Sequence, residues 1–443
     1  MNVIRNLYLT NRFYLVLALL TCGMMASYAF PNLMPIVQTG IVILALVIGI
    51  DILLLFNKRV DVEVTRETQG VLSLGDLNQV RLTLKNKARM SIHVTVVDEL
   101  PEQFQERSFS ISLDMPADKV HEQVYEVRPL SRGEYHFGKI NLFLSTGVGL
   151  VRRRLKKPLD AMVPVYPSII QMKKYELRTF ARTATEYGVK KVRRIGHSYE
   201  FEHIKQYNRG DDYRSINWKA TGRRAQLMVN VYEDEKSQAV YTIIDKSRVM
   251  HMPFNGLSLF DYAVNASLVI ANIVLGKQDK AGLFTFAETP KARIRADRGK
   301  LQLKKILEAL YNETEGSVEA NYESMYMSLR DLINGRALLF LYTNFESTYA
   351  LQRALPQLRK LNDQHLLVVV FFENTEVSSK TSTNVHTVED IYLQVTAETY
   401  MLTKIQLVQQ LKQFGIMSIL TKPENLTVAS INKYLELKSR GMI

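Results

Sequence analysis

The chain carries one cysteine in 443 residues, Cys22, and it sits in an apolar run. A single thiol cannot close an internal disulfide, so nothing ties the fold to an oxidising compartment. Histidine is sparse as well. The eight are scattered, and His197 and His203 stand six apart rather than at the spacing that shares a helix face. No Cys/His cluster has zinc spacing, which excludes the common zinc sites. The Gly-x-Ser-x-Gly elbow, the Walker loop and His-Glu-x-x-His are missing too, and with them the usual hydrolase, nucleotide-binding and metalloprotease readings. Gly210-Asp211-Asp212 matches a polymerase triplet, but nothing of the surrounding polymerase domain accompanies it.

What is present points to a globular protein with a membrane segment. Hydrophobic residues make up 47%, enough for a packed core, and the length allows two or three domains. The formal net charge is +13. Basic clusters lie at Arg152-Arg153-Arg154-Leu155-Lys156-Lys157 and Lys190-Lys191-Val192-Arg193-Arg194. These read as a solvated basic face, with an anionic lipid surface as the functional alternative. Nucleic acid is not an expected partner.

Residues 13–30, "FYLVLALLTCGMMASYAF", hold no charge, and residues 33–56, "LMPIVQTGIVILALVIGIDILLLF", hold one acid, Asp51. At ~1.5 Å per residue each run can cross a hydrocarbon core of ~30 Å. Pro31-Asn32 leaves room only for a tight turn. Arg5 and Arg12 precede the first run and Lys58-Arg59 follow the second. The positive-inside rule then puts both ends, and all that follows, in the cytoplasm. The expected location is the bacterial inner membrane, multi-pass, with the soluble domains cytoplasmic. Ser27-Tyr28-Ala29 also fits a signal-peptide cleavage site. Asp51 lies about a turn and a half from the cytoplasmic end of its run and is expected to reach water there.

From Val60 to about Pro167 apolar and polar residues alternate between Gly, Asn, Asp and Pro breaks, as in "NQVRLTLKN" and "SIHVTVVDEL". That pattern predicts a small antiparallel β-sandwich. After residue 238 continuous apolar runs alternate with amphipathic stretches of helical length: "AVYTIID" (239–245), "AGLFTFA" (281–287), "ALLFLYTN" (337–344), "LLVVVFFE" (366–373) and "IMSILT" (416–421). This predicts an α/β domain with a mainly parallel, doubly covered sheet. The expected organisation is a transmembrane hairpin at 1–59, the β-sandwich at 60–167, a linker and signature segment at 168–238, and the α/β domain at 239–443. Ligand sites of such sheets lie beyond the carboxyl ends of the strands, so the loops after Asp245, Asn344 and Glu373 carry the expectation.

Residues 207–224, "YNRGDDYRSINWKATGRR", are the densest motif. Asn208-Arg209-Gly210-Asp211 is turn chemistry, and Asp211 or Asp212 suits the cap of a short helix from Tyr213. Ile216 and Trp218 read as apolar anchors. Arg214, Arg223 and Arg224 are placed to hold Asp211, Asp212 or Glu233-Asp234-Glu235 in forked pairs. A buried Trp218 ring would cost roughly 3–5 kcal/mol to remove.

The stretch 201–235 resembles the signature of the domain of unknown function 58 family. Its Tyr-x-x-Gly-Asp-x-x-Arg-x-Ile-x-Trp core is met by Tyr207, Gly210, Asp211, Arg214, Ile216 and Trp218, with Arg223 behind it. Lys205 and Gly222 depart from the common Arg and Ala. The resemblance implies a von Willebrand factor A-like α/β domain, and the Asp245-Lys246-Ser247 loop is similar to that fold's Asp-x-Ser-x-Ser start. There the loop holds a divalent ion with help from other loops. Here Val249 stands for the second Ser and Asn344 for an Asp, a degenerate set of Asp245, Ser247 and Asn344 that makes Mg2+ possible but not expected. The resemblance further implies a non-enzymatic scaffold that docks a MoxR-type AAA+ ATPase and other von Willebrand A proteins. Two alternatives are a metal-dependent adhesion module built on Asp245, and a nucleic-acid binder or enzyme built on the Asp211–Arg224 cluster.

Overall fold

A computed structural model describes residues 5–57, 59–186, 200–208, 211–233, 237–380 and 387–442. The basic cluster 190–194, Gly210 and Lys58 fall outside the described residues. The chain divides into two compact units, Met1–Ser168 and Ile169–Ile443.

The first unit begins with a short strand, β1 (Leu7–Leu9), then two apolar helices, α1 (Asn11–Ala29) and α2 (Met34–Leu55), joined by a single turn at Pro31–Leu33. At 1.5 Å per residue they are roughly 28 and 33 Å long, enough to span a bilayer. Their side chains are largely exposed: only 6% and 17% of the two apolar windows is buried within the protein. A third helix of similar hydropathy, Leu259–Gly276, is 78% buried in the second unit and belongs to its core.

The β-rich region that follows consists of β2 (Val62–Thr68), β3 (Leu72–Ser73), β4 (Asn78–Asn86), β5 (Ile92–Asp98), β6 (Ile111–Met115), β7 (Val120–Val127), β8 (Gly133–Phe137), β9 (Ile140–Ser145), β10 (Val151–Lys157) and β11 (Ala161–Tyr166). They form sheets of order β1-β10-β9-β5-β6, β2-β4-β7 and β3-β11-β8. Strict alternation explains them: in β4, Val80, Leu82 and Leu84 are buried while Gln79, Arg81 and Lys85 face out. One pairing departs from the expected antiparallel pattern, since β3 runs parallel to β11.

Asp51 corrects the expectation of a solvated acid. It is 2% exposed, and its carboxylate accepts from the Thr146 hydroxyl and from the amides of Leu150 and Val151 at 3.1 and 3.0 Å. Gly149 makes the turn possible, with φ +67°. Nearby, Thr10 caps α1 and donates to the Gly149 carbonyl at 2.7 Å. Arg153 donates to the carbonyls of Leu55 and Val60 at 2.7 and 3.1 Å, where the end of α2 leaves acceptors open. The loop 146–150 and the start of β10 are thus fastened to both helix ends, and β1 adds a strand to that sheet through Leu7↔Arg153.

The second unit opens with α3 (Ile169–Glu186), β12 (Glu200–Gln206), α4 (Trp218–Arg224) and β13 (Met228–Glu233). Its main sheet holds β14 (Ala239–Asp245), β17 (Lys280–Phe286), β18 (Pro290–Asp297), β19 (Leu338–Tyr342), β20 (Leu366–Phe372) and β21 (Met417–Thr421), in the order β18-β17-β14-β19-β20-β21. A small hairpin, β15 (Pro253–Phe254) and β16 (Leu257–Ser258), intervenes. The helices are α5 (Leu259–Gly276), α6 (Lys300–Asn312), α7 (Tyr322–Leu332), α8 (Thr348–Gln364), α9 (Thr375–Lys380), α10 (Val388–Gln413) and α11 (Leu426–Ser439). All ladders are parallel except β17–β18. The edge strand β18 was not among the expected strands, because its alternating "KARIRAD" lacks the continuous apolar run of its neighbours.

One face of the sheet packs Val240, Ile244 and Val368 with α5, α6 and α11. The other packs Tyr241, Ile243 and Val369 with α7, α8 and α10. Each fully buried Val, Leu or Ile contributes roughly 1.5–3 kcal/mol. Gly282 serves this packing, because a Cβ there would lie 2.4 Å from the Tyr241 ring. That ring crosses the strand so that its hydroxyl accepts from the Ala296 amide at 3.0 Å, tying down β18.

Replacing Asp51 with Ala orphans two amides and a hydroxyl, which costs roughly 2–4 kcal/mol. The expected outcome is a lower melting temperature of the detergent-solubilised protein and faster hydrogen exchange at Leu150 and Val151. Unchanged exchange at those amides would refute the clamp.

Candidate functional site

Because the connection from β14 leads to β17 on one side and the connection from β19 leads to β20 on the other, the sheet has its switch point between β14 and β19. A cleft of about 590 Å3 opens there. Ser247 and Arg248 line it from the loop after β14, Asn344 and Glu346 from the loop after β19, and Tyr322 and Arg353 from α7 and α8.

Asp245 ends β14 fully buried. One carboxylate oxygen accepts from the Ser247 amide at 2.8 Å and the other from the Thr343 hydroxyl at 2.7 Å. Thr343 in turn stands 2.9 Å from the Tyr322 hydroxyl. Burial pushes the Asp245 carboxyl up, while the Ser247 and Thr343 donors pull against it. The Ser247 hydroxyl is 1% exposed and has no hydrogen-bond partner.

The predicted trio therefore comes together only in part. Asp245 and Ser247 are adjacent, but Asn344 is committed elsewhere. Its oxygen accepts from the Lys404 ammonium at 2.8 Å, and its amide nitrogen lies 3.4 Å from the Val249 carbonyl. Lys404 comes from α10, has 0% exposure, and also donates to the Phe345 carbonyl at 2.6 Å. Its ammonium sits 5.2 Å from the Tyr400 ring centre. Burial pulls it down to about 8, against the nearby Glu346 carboxylate. Among the described residues no three His, Cys, Asp or Glu gather around one point. Mg2+ does not fit this set: Asp245 already accepts from Ser247 and Thr343, Asn344 faces a cation, and Val249 has no side-chain oxygen. Sequence reasoning missed Thr343 and Lys404. Thr343 was legible as the hydroxyl at the end of a buried strand; a lysine 60 residues from its partner in sequence was not.

The signature forms the connection between β12 and β13, which pair antiparallel. Asp211 is held by Lys205 at 2.8 Å and by the Asn208 amide at 2.9 Å, and these donors lower its carboxyl. The family departure Lys205 thus supplies the partner expected from the arginines. Asp212 caps the turn Tyr213–Ser215 by accepting from the Arg214 amide at 3.0 Å. Asn217 caps α4 and binds Asn230 at 2.8 Å. Ile216 bridges Val229, and the Tyr207 amide donates to the Leu227 carbonyl at 2.8 Å.

Two expectations are corrected here. Trp218 is 71% exposed and so is not a core anchor, and Tyr213 beside the turn is 68% exposed. Arg214, Arg223 and Arg224 make no ion pair with Asp211 or Asp212. Instead Arg214 stacks over Tyr213, 5.7 Å from the ring centre. Asp234 and Glu235 lie outside the described residues. The connection is closed by backbone bonds and short polar caps, which leaves the large side chains outward.

Residues 203–386 match the sequence model of a family described as "Protein of unknown function DUF58". A similar curated protein is the uncharacterized protein YeaD of Bacillus subtilis, 25% identical over 222 residues, covering 48% of this chain and 52% of that protein. The chain thus spans about half the length of the relative it matches. Among solved structures, a CARDB domain from Pyrococcus furiosus is 14% identical over 24% of this chain and 94% of that domain, with a TM-score of 0.17. Bacteroides uniformis beta-glucuronidase 2 is 8% identical over 81% of this chain and 33% of that one, with a TM-score of 0.17. Scores this low carry no argument about fold.

Two outcomes follow from the geometry. An unfolded lysine titrates near 10.5, so between about pH 8 and 10.5 the unfolded chain keeps the Lys404 proton that the folded chain has released. Stability then rises with pH across that window, by on the order of 3 kcal/mol. Denaturant unfolding of wild type beside Lys404→Met checks it, the slope difference vanishing if Lys404 is not the group. Trp218→Ala, in turn, changes stability by less than about 1 kcal/mol, as for an exposed side chain. A loss of several kcal/mol in the same unfolding assay would show the ring buried.

Proposed function

We propose that this chain is a membrane-anchored, non-enzymatic scaffold whose second unit docks protein partners, a MoxR-type AAA+ ATPase among them. The carrying observation is the outward Trp218, Tyr213 and Arg214 of the signature. Trp, Tyr and Arg are the side chains that dominate protein interfaces, and one short connection here exposes one of each. The parallel sheet with its cleft at the switch point supports a von Willebrand A-like reading of the unit. The two apolar helices, with Arg5, Arg12 and Arg59 at their outer ends, support a multi-pass anchor in the inner membrane with both units in the cytoplasm.

The test is affinity purification of the full-length protein from its native membrane, with the AAA+ ATPase quantified by mass spectrometry. Trp218→Ala and Arg214→Gln are expected to retain the wild-type melting temperature and to lower the recovered ATPase about tenfold, the equivalent of 1.4 kcal/mol. Equal recovery from all three proteins would move docking away from the signature. An ATPase absent from the wild-type sample would overturn the partner.

A further inference from the structure

We propose that the Lys404 ammonium takes the place of a divalent cation at the carboxyl end of the sheet, so that this pole is held by an internal charge and needs no metal. The proposal stands on the geometry of the second unit and not on the identity of any partner.

A buried lysine is expensive, because its ammonium leaves water for a low-dielectric interior. The chain nevertheless carries Lys404 into the protein on α10, between the exposed Leu402 and Ile405. What receives it is a set of oxygen ligands: the Asn344 amide oxygen at 2.8 Å and the Phe345 carbonyl at 2.6 Å, with the Glu346 carboxylate contributing at longer range. Amide, carbonyl and carboxylate oxygens are also what a hard divalent ion selects. The pole therefore already houses a cation, one covalently attached, although these oxygens return less than the ammonium loses on leaving water.

The same geometry excludes a metal. An ion bound to the Asn344 oxygen would sit ~2.1 Å from it, hence within ~5 Å of the ammonium, where like charges repel strongly in a buried setting. Asp245, the one carboxylate in the loop, already accepts from Ser247 and Thr343. Val249 offers only its backbone carbonyl, which lies 3.4 Å from the Asn344 amide nitrogen. Three residues thus agree with one another. A neutral Asn344 accepts an ammonium without creating a buried ion pair, Val249 withdraws a ligand no longer needed, and Lys404 supplies the charge. Besides pinning the β19 loop, the ammonium fastens α10 to the wall of the cleft.

The test uses the full-length protein in detergent. Melting curves and calorimetry in chelator and in ~1 mM Mg2+ or Mn2+ are expected to coincide for the wild type, since a bound ion would raise the melting temperature by linkage. The double variant Lys404→Ala/Asn344→Asp removes the ammonium and restores an acid, and is expected to gain a Mn2+-dependent rise in melting temperature and a binding heat. Should that variant fail to fold, Lys404→Met keeps the volume without the charge, and hydrogen exchange at 343–346 is expected to speed up at least tenfold while the amides of β14 stay protected. A wild-type response to either metal overturns the proposal. So does a folded double variant blind to Mn2+, or unchanged exchange at 343–346 in Lys404→Met.

Discussion

A carboxylate in an apolar helix must find donors, and in this protein that requirement joins the helices to the β-rich region. Asp51 finds its donors in the loop between β9 and β10 and at the first residue of β10, two of them backbone amides. The loop in turn completes both helix ends, Thr10 bonding to Gly149 and Arg153 reaching the carbonyl of Leu55. Each group would be costly alone, because a buried amide or carboxylate without a partner has lost its water. Together they satisfy one another. The β-rich region is therefore seated on its helices by polar bonds at fixed positions, not by a loose tether.

The same rule of paired polar groups organises the second unit. Helices cover both faces of its sheet, so any polar group at the strand ends is buried unless the cleft reaches it. Asp245 is answered by Ser247 and Thr343, and Asn344 by Lys404. What remains open is the cleft itself, with the unpartnered Ser247 hydroxyl at its wall. A surface with this much buried polar order at its base is preorganised, a condition for tight docking.

The signature follows a different logic. Its density of charge suggests a knot of ion pairs with the arginines, yet Asp211 pairs with Lys205 and the Asn208 amide, while Asp212 and Asn217 cap local turns. Short polar side chains close the β12–β13 connection on their own, which frees Trp218, Tyr213 and Arg214 for solvent. A motif can thus be specific in sequence because it shapes a loop, while its large side chains are left exposed.

Periodicity alone determined the broad plan. Two apolar runs long enough to span a bilayer, alternating strands, then continuous apolar strands between amphipathic helices were all legible, because hydrophobic pattern reflects which face a residue buries. Capping of the turn at Tyr213 by Asp212 was legible too, being a contact over two residues. Tertiary structure alone decided the rest. Asp51 meets its donors 95 to 100 residues away, β1 joins a strand far along the chain, and Lys404 reaches Asn344 across 60 residues. The exposure of Trp218 belongs to the same class, since an aromatic residue reads as core until the fold shows no wall for it to pack against. Sequence pattern records the average environment of a residue; which distant group satisfies a buried charge is set only when the chain has closed.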